Sequence, residues 1–338
     1  MQTTNVAVVG ATGAVGRTML DVLAQRRFPA GAVHAVASER SKGKRVPYAG
    51  RELEVEPLEP FDFAGVDIAL FSAGGSVSLE HGPRAAAAGA TVVDNTSAFR
   101  MDEDVPLVVP EVNPHDLAER PRGIIANPNC STIQMVVALA PLHWRARIRR
   151  IVVATYQSVS GAGNRAMEEL RRTSAAALCG GPVEPGPVFP HPIAFNCLPQ
   201  IDVFEADGYT KEEHKMMFET RKIFGDPSIR VSATCVRVPV LVGHAEAINV
   251  EFEKPISPDE ARELLAAAPG VELIDAPGAQ RYPMQCLCAG RDPVLVGRIR
   301  RDPSRDNTLD MWIAADNLRK GAALNAVQIA ELLLQEKR

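Results

Sequence analysis

The segment IANPNCST, residues 125–132, contains a cysteine in a position where a thiol can act as a nucleophile. Cys130 follows an Asn-Pro-Asn turn and precedes an apolar run, residues 133–142, with helical spacing. Because Asn129 or Ser131 can cap this predicted helix, Cys130 should lie at its N-terminus. The helix dipole there lowers a thiol pKa and raises the thiolate fraction at neutral pH. Cysteines are also commonly small buried hydrophobic residues, so this position needs independent support.

A glycine-rich turn, GATGAVG at residues 10–16, follows the first apolar segment and opens a predicted helix. In that context backbone N–H groups and the helix dipole face an anionic pyrophosphate. The spacing departs from the commoner G-x-G-x-x-G, and glycines alone are also compatible with a plain tight connection. We interpret the turn as a dinucleotide site formed by Gly10, Thr12, Gly13, Ala14 and Val15.

The end of the second predicted strand bears on which nicotinamide cofactor binds. NAD sites favour an acid for the ribose hydroxyls, whereas a 2′-phosphate favours basic and hydroxyl side chains. The segment SERSKGK offers Ser38, Arg40 and Ser41, which favour NADP. Glu39 leaves NAD open.

A nucleophilic thiol beside such a cofactor indicates aldehyde oxidation through an acyl thioester. That chemistry needs a base for the hemithioacetal proton. Of seven histidines, His244 is the best candidate, because it follows the strand-like CVRVPVLVG and Gly243 gives the backbone room. Arg237 lies on the same segment. A histidine at a strand end is also often a structural, hydrogen-bonded residue.

The elements that must position these groups suggest two domains. Strands alternate with helices in the first part of the chain, which predicts a parallel, doubly wound sheet. The predicted strands are 5–9, 33–37, 68–71, 91–93 and 107–109, and the predicted helices are 16–24 and 82–90.

A second domain is predicted to begin near Cys130 and to contain a largely antiparallel sheet, with strands at 150–157, 232–242 and 245–252. Residues 179–199 are rich in Gly and Pro, and predict a long irregular connection, either a lid or a subunit contact. The end of the chain predicts an amphipathic helix that packs on the first domain. We therefore assign 1–129 with 318–338 to one domain and 130–317 to the other.

Composition excludes several classes of protein. A hydrophobic content of 46% with 23% charged residues is typical of a globular protein. The net charge of −4 and the lack of a basic stripe argue against nucleic-acid binding. No apolar stretch has the ~18 residues of a membrane helix, and no signal-peptide pattern is present, which favours a cytoplasmic protein. The six cysteines lack metal-ligand spacing, so we expect no metal site.

Eight motifs in order from residue 10 to residue 331 together resemble the aspartate-β-semialdehyde dehydrogenase family. The motifs are GATGAVG, DNTSAFRM, VVPEVN, NPNCST, YQSVSGAG, ETRKI, RVPVLVGHAEAINVEF and DNLRKGAALNAVQIAE. The resemblance implies a Rossmann-type NADP domain completed by the C-terminal helix, and an α+β catalytic and dimerisation domain. It implies the reversible, NADPH-dependent reductive dephosphorylation of 4-aspartyl phosphate to aspartate 4-semialdehyde. This reaction would supply lysine, threonine, methionine and diaminopimelate biosynthesis. The resemblance also implies that the enzyme is a homodimer.

The resemblance also implies roles for individual residues. Cys130 matches the acyl-thioester nucleophile, His244 the acid/base, and Gln157 a glutamine that positions the substrate. Arg237 matches the arginine that holds the substrate α-carboxylate with its planar fork. Without the family, Gln157 and Arg237 would read as ordinary polar residues of strands.

Further residues match the substrate, phosphate and cofactor sites. Glu212 and Lys215, three residues apart in KEEHK, correspond to a pair that meets the substrate ammonium and phosphate, although Glu213 is an alternative acid. The family phosphate site is completed by Arg100 and Asn129, and its cofactor contacts include Ser160, Gly161 and Asn317.

Three alternatives remain. N-acetyl-γ-glutamyl-phosphate reductase shares the acyl-phosphate chemistry, but its substrate has no ammonium group for an acid such as Glu212. Glyceraldehyde-3-phosphate dehydrogenase has a related mechanism and a different motif order. A non-catalytic relative would be expected to lose Cys130, Gln157, Arg237 or His244, and all four are present.

Overall fold

The computed structural model describes residues 3–336, which form two compact units. Unit 1 runs to Asn129 and resumes at Ala322, and unit 2 is Cys130–Gly321. Each unit is therefore built from its own part of the chain, and the end of the chain returns to unit 1.

Residues 318–321 belong to unit 2, whereas the sequence boundary put them in the first domain. Their backbone is anchored to Asp316 in unit 2. The Leu318 N–H donates to Asp316 Oδ1 at 2.8 Å, and the Gly321 N–H donates to the Asp316 carbonyl at 3.1 Å. These hydrogen bonds attach residues 318–321 to the end of the strand that precedes Asp316.

The described residues contain thirteen strands and eight α-helices. The strands are β1 (Thr4–Val9), β2 (Ala30–Ala37), β3 (Arg45–Tyr48), β4 (Arg51–Pro57), β5 (Ile68–Phe71), β6 (Thr91–Asp94), β7 (Ile124–Ala126), β8 (Ile148–Gln157), β9 (Arg230–Arg237), β10 (His244–Phe252), β11 (Val271–Leu273), β12 (Val294–Arg301) and β13 (Thr308–Ala315). The helices are α1 (Ala14–Gln25), α2 (Gly75–Ala87), α3 (Cys130–Ala146), α4 (Asn164–Leu178), α5 (Lys211–Phe224), α6 (Pro258–Ala267), α7 (Gln285–Cys288) and α8 (Leu324–Glu336).

Unit 1 is built on a seven-stranded sheet in the order β3-β4-β2-β1-β5-β6-β7. All neighbouring strands are parallel except β3 and β4, which confirms the predicted doubly wound architecture. Strand β1 is almost wholly buried because its residues are apolar on both faces, as a central parallel strand requires. Helix α8 returns from the end of the chain and packs its apolar face into the same core as α1, through Val327 and Leu333.

The predicted strand at 107–109 is wrong. Leu107 forms only an isolated parallel bridge with Ala126. Pro106 and Pro110 flank the segment, and proline lacks the N–H that a ladder needs, so the pairing cannot extend.

Unit 2 contains a six-stranded sheet in the order β11-β12-β13-β10-β8-β9. Strand β10 is antiparallel to β8 and β13, and β12 is antiparallel to β13, whereas the two edge pairs, β8 with β9 and β11 with β12, are parallel. The strand predicted at 232–242 is shorter in the structure, because β9 ends at Arg237. Pro239 has no N–H for the ladder, and residues 238–243 form the connection to β10.

Residues 179–199 have no helix or named strand, as predicted. The segment is nevertheless anchored at two points. Glu169 on α4 is 3% exposed and accepts backbone N–H groups of Val188 and Phe189 at 2.9 and 3.3 Å. At its end, Leu198 pairs with Arg237 through two backbone hydrogen bonds of 2.8 and 2.9 Å. Within the described chain, no helix combines the length and the apolar character needed to cross a bilayer.

Candidate active site

The glycine-rich turn of unit 1 connects β1 to α1. Gly10 has φ +92°, and a Cβ there would lie 2.5 Å from the Ser72 carbonyl oxygen, so no other residue fits without distortion. A Cβ on Gly16 would collide with the Gly10 carbonyl. Gly13 is the N-cap residue of α1 and provides no side-chain cap. The turn therefore brings bare backbone and the positive end of a helix to one place, which suits a pyrophosphate.

The end of β2 lies next to this turn, because the N–H groups of Gly10 and Ala11 both donate to the Val36 carbonyl, at 2.8 and 3.1 Å. A short 3-10 helix, Glu39–Ser41, follows β2. Arg40 is exposed there. Glu39 instead forms an ion pair of 3.1 Å with Lys42. Glu39, the acid that would favour NAD, is thus already paired with a lysine just after this 3-10 helix.

Cys130 is the first residue of α3, as predicted, and is half-buried. Gly321 packs against it: a Cβ on that glycine would lie 3.0 Å from the Cys130 Cβ. The π-helical turn that contains Gly321, Arg319–Ala323, is a kind of irregularity that is frequent at functional sites. The thiol is also close enough to Arg237 for their charges to interact.

Three further candidate residues meet at one edge of the unit 2 sheet. Gln157 is the last residue of β8 and is paired in register with Arg237, the last residue of the parallel strand β9. His244 is the first residue of β10, which runs antiparallel to β8, and its neighbour Ala245 is paired with Tyr156. Strand direction and register therefore bring Gln157, Arg237 and His244 together, although 87 residues separate the first from the last.

Gly161 leaves room for the close approach of these side chains. A Cβ on Gly161 would lie 3.0 Å from Arg237 Nη1 and 3.4 Å from His244 Nε2. The glycine that the family resemblance suggested as a cofactor contact thus also gives two site residues room.

The His244 ring is fully buried and has a defined tautomer. Its Nδ1 accepts the backbone N–H of Ser158 at 3.0 Å, so the neutral ring carries its hydrogen on Nε2. Nε2 is buried and has no hydrogen-bond partner within residues 3–336. Burial, and then the charge of Arg237, lower the His244 pKa to about 3. The resting site therefore presents a neutral N–H donor.

This lowered pKa gives a prediction for stability. The unfolded state binds a proton near pH 6.5, whereas folded His244 does not do so until near pH 3. Unfolding therefore takes up protons in this window, and stability is lost as pH falls. Between about pH 7 and about pH 5, wild type should lose about 2 kcal/mol more unfolding free energy than His244→Gln. Urea titrations check this, with exposed His115→Gln as control; equal losses in wild type and His244→Gln would contradict it.

Helix α5 brings an acid and a lysine to the same edge. Gln157 Nε2 donates to Glu212 Oε1 at 3.0 Å, and Lys215 Nζ donates to Glu212 Oε2 at 3.1 Å and to Asp202 at 2.8 Å. Burial alone would lower the Lys215 pKa, but the charges of Glu212 and Asp202 outweigh it and raise that pKa. The lysine is therefore cationic.

The structure distinguishes Glu212 from Glu213. Glu213 forms a capping box with Thr210, accepting its N–H at 2.7 Å and donating its own N–H to the Thr210 hydroxyl at 3.3 Å. Its other oxygen accepts the Cys235 N–H at 2.9 Å. One carboxylate oxygen of Glu213 thus caps the start of α5 and the other is bound to β9, so Glu212 is the acid that faces Gln157.

Arg237 is 6% exposed and donates from Nη1 to the Ser158 carbonyl at 2.7 Å. Burial lowers its pKa, and the negative charges of Glu212 and a Cys130 thiolate act in the opposite direction. A guanidinium is planar and has five N–H donors, so Arg237 can also bind a carboxylate through two hydrogen bonds.

Ser160 and Asn317 form a hydrogen-bonded cluster with Ser158. Asn317 Oδ1 accepts the hydroxyls of Ser158 and Ser160, at 3.0 and 3.1 Å, and the Gly243 N–H at 2.9 Å. Because Gly243 precedes His244 and Ser158 holds its ring, this cluster supports the histidine from two directions. Its members were expected at the cofactor, and that role stays a prediction.

Arg100 and Asn129 belong to unit 1. The Arg100 guanidinium is buried and donates to the carbonyls of Asn127 and Asn95, each at 2.9 Å. These contacts fix the side chain between the ends of β6 and β7. The proposed phosphate role of Arg100 and Asn129 remains a prediction.

Sequence reasoning missed three residues that support the site: Thr155, Ser158 and Asp202. Thr155 donates to Gln157 Oε1 at 3.1 Å, on the same strand face two residues away. That period-two spacing was a usable signal. Ser158 lies inside the YQSVSGAG motif, but nothing in the sequence indicates that its backbone N–H holds His244. Asp202 is thirteen residues from Lys215, and only the fold reveals the contact.

Two family profiles match the chain. Residues 5–120 match the family described as semialdehyde dehydrogenase, NAD binding domain, and residues 139–320 match semialdehyde dehydrogenase, dimerisation domain. The second match spans most of unit 2, including Gln157, Arg237 and His244.

Individual proteins match over nearly the full length. An aspartate-semialdehyde dehydrogenase of Aquifex aeolicus is 59% identical over 333 residues, covering 98% of both chains. The crystal structure of aspartate semialdehyde dehydrogenase II from Vibrio cholerae complexed with ASA superposes with TM-score 0.97 at 54% identity, covering 99% of both chains. An aspartate semialdehyde dehydrogenase with NADP from Candida albicans has TM-score 0.77 at 27% identity, covering 98% of both chains.

Proposed function

This chain belongs to the aspartate-semialdehyde dehydrogenase family, and on that premise we propose that it interconverts 4-aspartyl phosphate and aspartate 4-semialdehyde through a thioester on Cys130. The biosynthetic direction is reductive dephosphorylation with NADPH. The enzyme is an oxidoreductase of amino-acid biosynthesis, and we place it in the routes to lysine, threonine, methionine and diaminopimelate.

One observation carries the proposal. Within unit 2, a thiol at a helix N-terminus, an Nε2–H donor and a buried guanidinium lie at one site beside a Gln157–Glu212–Lys215 chain. This set has the groups that acyl transfer to and from a thiol needs: a nucleophile, a donor for the developing oxyanion and fixed charges for the substrate.

In the reductive direction, the Cys130 sulfur bonds to C4 of the acyl phosphate. The C4–oxygen bond to phosphate then breaks, and phosphate leaves with the electron pair, which gives the thioester. A nicotinamide cofactor, when bound, supplies the hydride in this direction and accepts it in the reverse one. Collapse of the reduced adduct re-forms the carbonyl group and returns the electron pair of the carbon–sulfur bond to the Cys130 thiolate.

His244 acts on the oxygen of the adducts. Its neutral Nε2–H is buried and unpaired within the described residues, so it is oriented to donate to an oxyanion at that position. The lowered pKa belongs to the charged ring: an imidazolium formed here during the reaction would give up its proton more readily than an ordinary one. Ser158 keeps the other nitrogen as the acceptor.

The remaining side chains recognise the ends of the substrate. Arg237 binds the α-carboxylate with its fork, Glu212 meets the α-ammonium, and Lys215 with Arg100 and Asn129 binds the phosphate. Gln157, held between Thr155 and Glu212, places its amide next to the carbonyl being attacked. An acetylated substrate has no ammonium group, so the buried acid Glu212 disfavours the N-acetyl-γ-glutamyl-phosphate reductase alternative.

The family and the NAD-binding profile give a nicotinamide cofactor; that it is NADP is our proposal. The bare backbone of Gly10, Gly13 and Gly16 fits the pyrophosphate. Ser160, Gly161 and Asn317 complete the cofactor contacts in this proposal, with Thr12, Ala14 and Val15 in the turn. At the end of β2, Ser38, Arg40 and Ser41 provide the groups that a 2′-phosphate requires.

Replacing Arg40 by glutamine should raise the KM for NADP about tenfold and leave that for NAD nearly unchanged, since only NADP has the phosphate that the guanidinium binds. Steady-state kinetics with both cofactors measure this. Arg45→Gln, a nearby exposed arginine paired with Glu52, is the control. Equal effects on both cofactors would reject the phosphate role.

The substrate assignment is tested by cofactor reduction with purified aldehydes. Aspartate semialdehyde should reduce NADP⁺ over repeated turnovers only when phosphate is present, because phosphate removes the acyl group from sulfur after the first hydride transfer. N-acetylglutamate semialdehyde and glyceraldehyde 3-phosphate should be poor substrates. Turnover of only the acetylated aldehyde would overturn the proposal.

We also propose that the enzyme is a homodimer. The description of the family matching residues 139–320 as a dimerisation domain supports this.

A further inference from the structure

Gln134 and Glu246 form a buried pair of side chains next to the residues that carry the proposed chemistry of unit 2. Gln134 Nε2 on α3 donates to Glu246 Oε1 on β10 at 2.8 Å. Both side chains are fully buried. The mechanism above uses neither residue, and a glutamate with no solvent contact needs an explanation.

The spacing relates this pair directly to the catalytic residues. Gln134 is four residues after Cys130, one turn along α3 and on the same helix face. Glu246 is two residues after His244, on the same face of β10. In the sheet register Glu246 is paired with Thr155, which itself donates to Gln157. The hydrogen bond therefore joins the helix that carries the thiol to the strand that carries the histidine.

Two atoms of the pair have no hydrogen-bond partner in residues 3–336: Gln134 Oε1 and Glu246 Oε2. Both are acceptors if the carboxyl group is ionised. One proton on Glu246 Oε2 turns that atom into a donor, and the buried, unpartnered amide oxygen of Gln134 is the kind of acceptor that this donor needs. An acid and an amide then form a cyclic pair with two hydrogen bonds and no net charge.

Burial favours the same protonation state. Loss of solvent raises the Glu246 pKa well above its usual value, and only the hydrogen bond from Gln134 acts in the opposite direction. An ionised carboxylate here would be buried with a single neutral donor, which is costly.

We propose that Glu246 is a neutral acid which, with Gln134, positions the Cys130 thiol relative to His244. Both are positioning residues, since they touch neither substrate nor cofactor. The inference deepens the proposed function and rests on it, but thiol reactivity can be measured without any substrate.

The test compares pairs that keep or lose the two hydrogen bonds. Glu246→Gln keeps a neutral partner of the same shape, and the swapped double variant Gln134→Glu/Glu246→Gln reverses the pair. Glu246→Leu and Gln134→Leu each break it. The readouts are the rate of Cys130 alkylation by iodoacetamide, measured on the Cys130 peptide because Cys179, Cys197 and Cys286 are exposed, and the kcat and KM for aspartate semialdehyde.

Glu246→Gln and the swapped variant should alkylate and turn over within about twofold of wild type, because the geometry persists. The leucine variants should lose about tenfold in alkylation rate and kcat, with KM nearly unchanged, since a shift of the thiol affects the reacting atoms rather than binding. If the leucine variants do not fold, Glu246→Gln and the swapped pair still decide.

Three outcomes would overturn the inference. Glu246→Gln as slow as Glu246→Leu would mean that a charged carboxylate is needed. A slow swapped variant would mean that the cyclic pair is not formed. Leucine variants with a lowered melting temperature but wild-type alkylation and kcat would show packing alone. Failure of the substrate assignment leaves the alkylation result unaffected, so the two proposals fail separately.

Discussion

Cys130→Ala is expected to abolish turnover, with a loss of about 10⁴-fold or more in kcat. The variant has no atom that can form the acyl intermediate, and no other described cysteine lies at this position of α3. The residue is half-buried at a helix start, so removing one sulfur should change the melting temperature little. Kinetics of NADP⁺ reduction and calorimetric binding of NADPH measure the two halves of this prediction.

Cys179→Ala is the matched control, because Cys179 is exposed at the end of α4. It should retain wild-type kcat. A Cys130→Ala enzyme that keeps more than a small fraction of its activity, or that loses cofactor binding and fold together, would contradict the nucleophile assignment.

The second large effect is expected for His244→Gln. The amide of glutamine is neutral and can donate a hydrogen bond, but it has no basic nitrogen that can take up and release a proton, so kcat should fall by about 10²- to 10⁴-fold. KM should change less, because in the proposed site Arg237 and Glu212 are the residues that bind the substrate ends. Steady-state kinetics in both directions provide the measurement.

His214→Gln is the control for this variant. His214 lies on α5 and is paired with Asp207 at 2.9 Å, away from the Ser158 contact that defines His244. A His244→Gln loss of less than about tenfold would remove this residue from the proton chemistry and leave it a structural role.

The sequence predicted much of the fold because local patterns and tertiary structure agree. The apolar strand β1, the glycine turn and α1 form a strand-turn-helix unit whose pattern is visible without any contact information. Alternation of strands and helices then determined the parallel sheet of unit 1. The segment at 107–109 failed because its apolar residues resemble a strand while its flanking prolines prevent a ladder.

Local pattern could not reveal the arrangement of unit 2. Gln157, Arg237 and His244 meet because β8 lies between a parallel and an antiparallel neighbour, and pairing between distant strands is not encoded in short-range spacing. The roles of two adjacent acids were also not predictable from the sequence. Glu212 and Glu213 look equivalent in KEEHK, and only the capping box at Thr210 separates them.

The helix start at Cys130 was predictable, since Asn129 and Ser131 flank it, whereas its supports were not. Gln134 lies in an apolar helix and Glu246 in a strand, where each would read as a stray polar residue. Buried polar pairs are recognised by their hydrogen bonds, which require coordinates.

The central claim is tested most directly by trapping the acyl enzyme. Wild-type protein mixed with aspartate semialdehyde and NADP⁺ without phosphate should accumulate a thioester, because the acyl group then has no acceptor. After acid quench, mass spectrometry should find the mass of one aspartyl group on the Cys130 peptide, and phosphate added before the quench should remove it. A burst of NADPH with no adduct on Cys130, or with the adduct on another residue, would contradict the account.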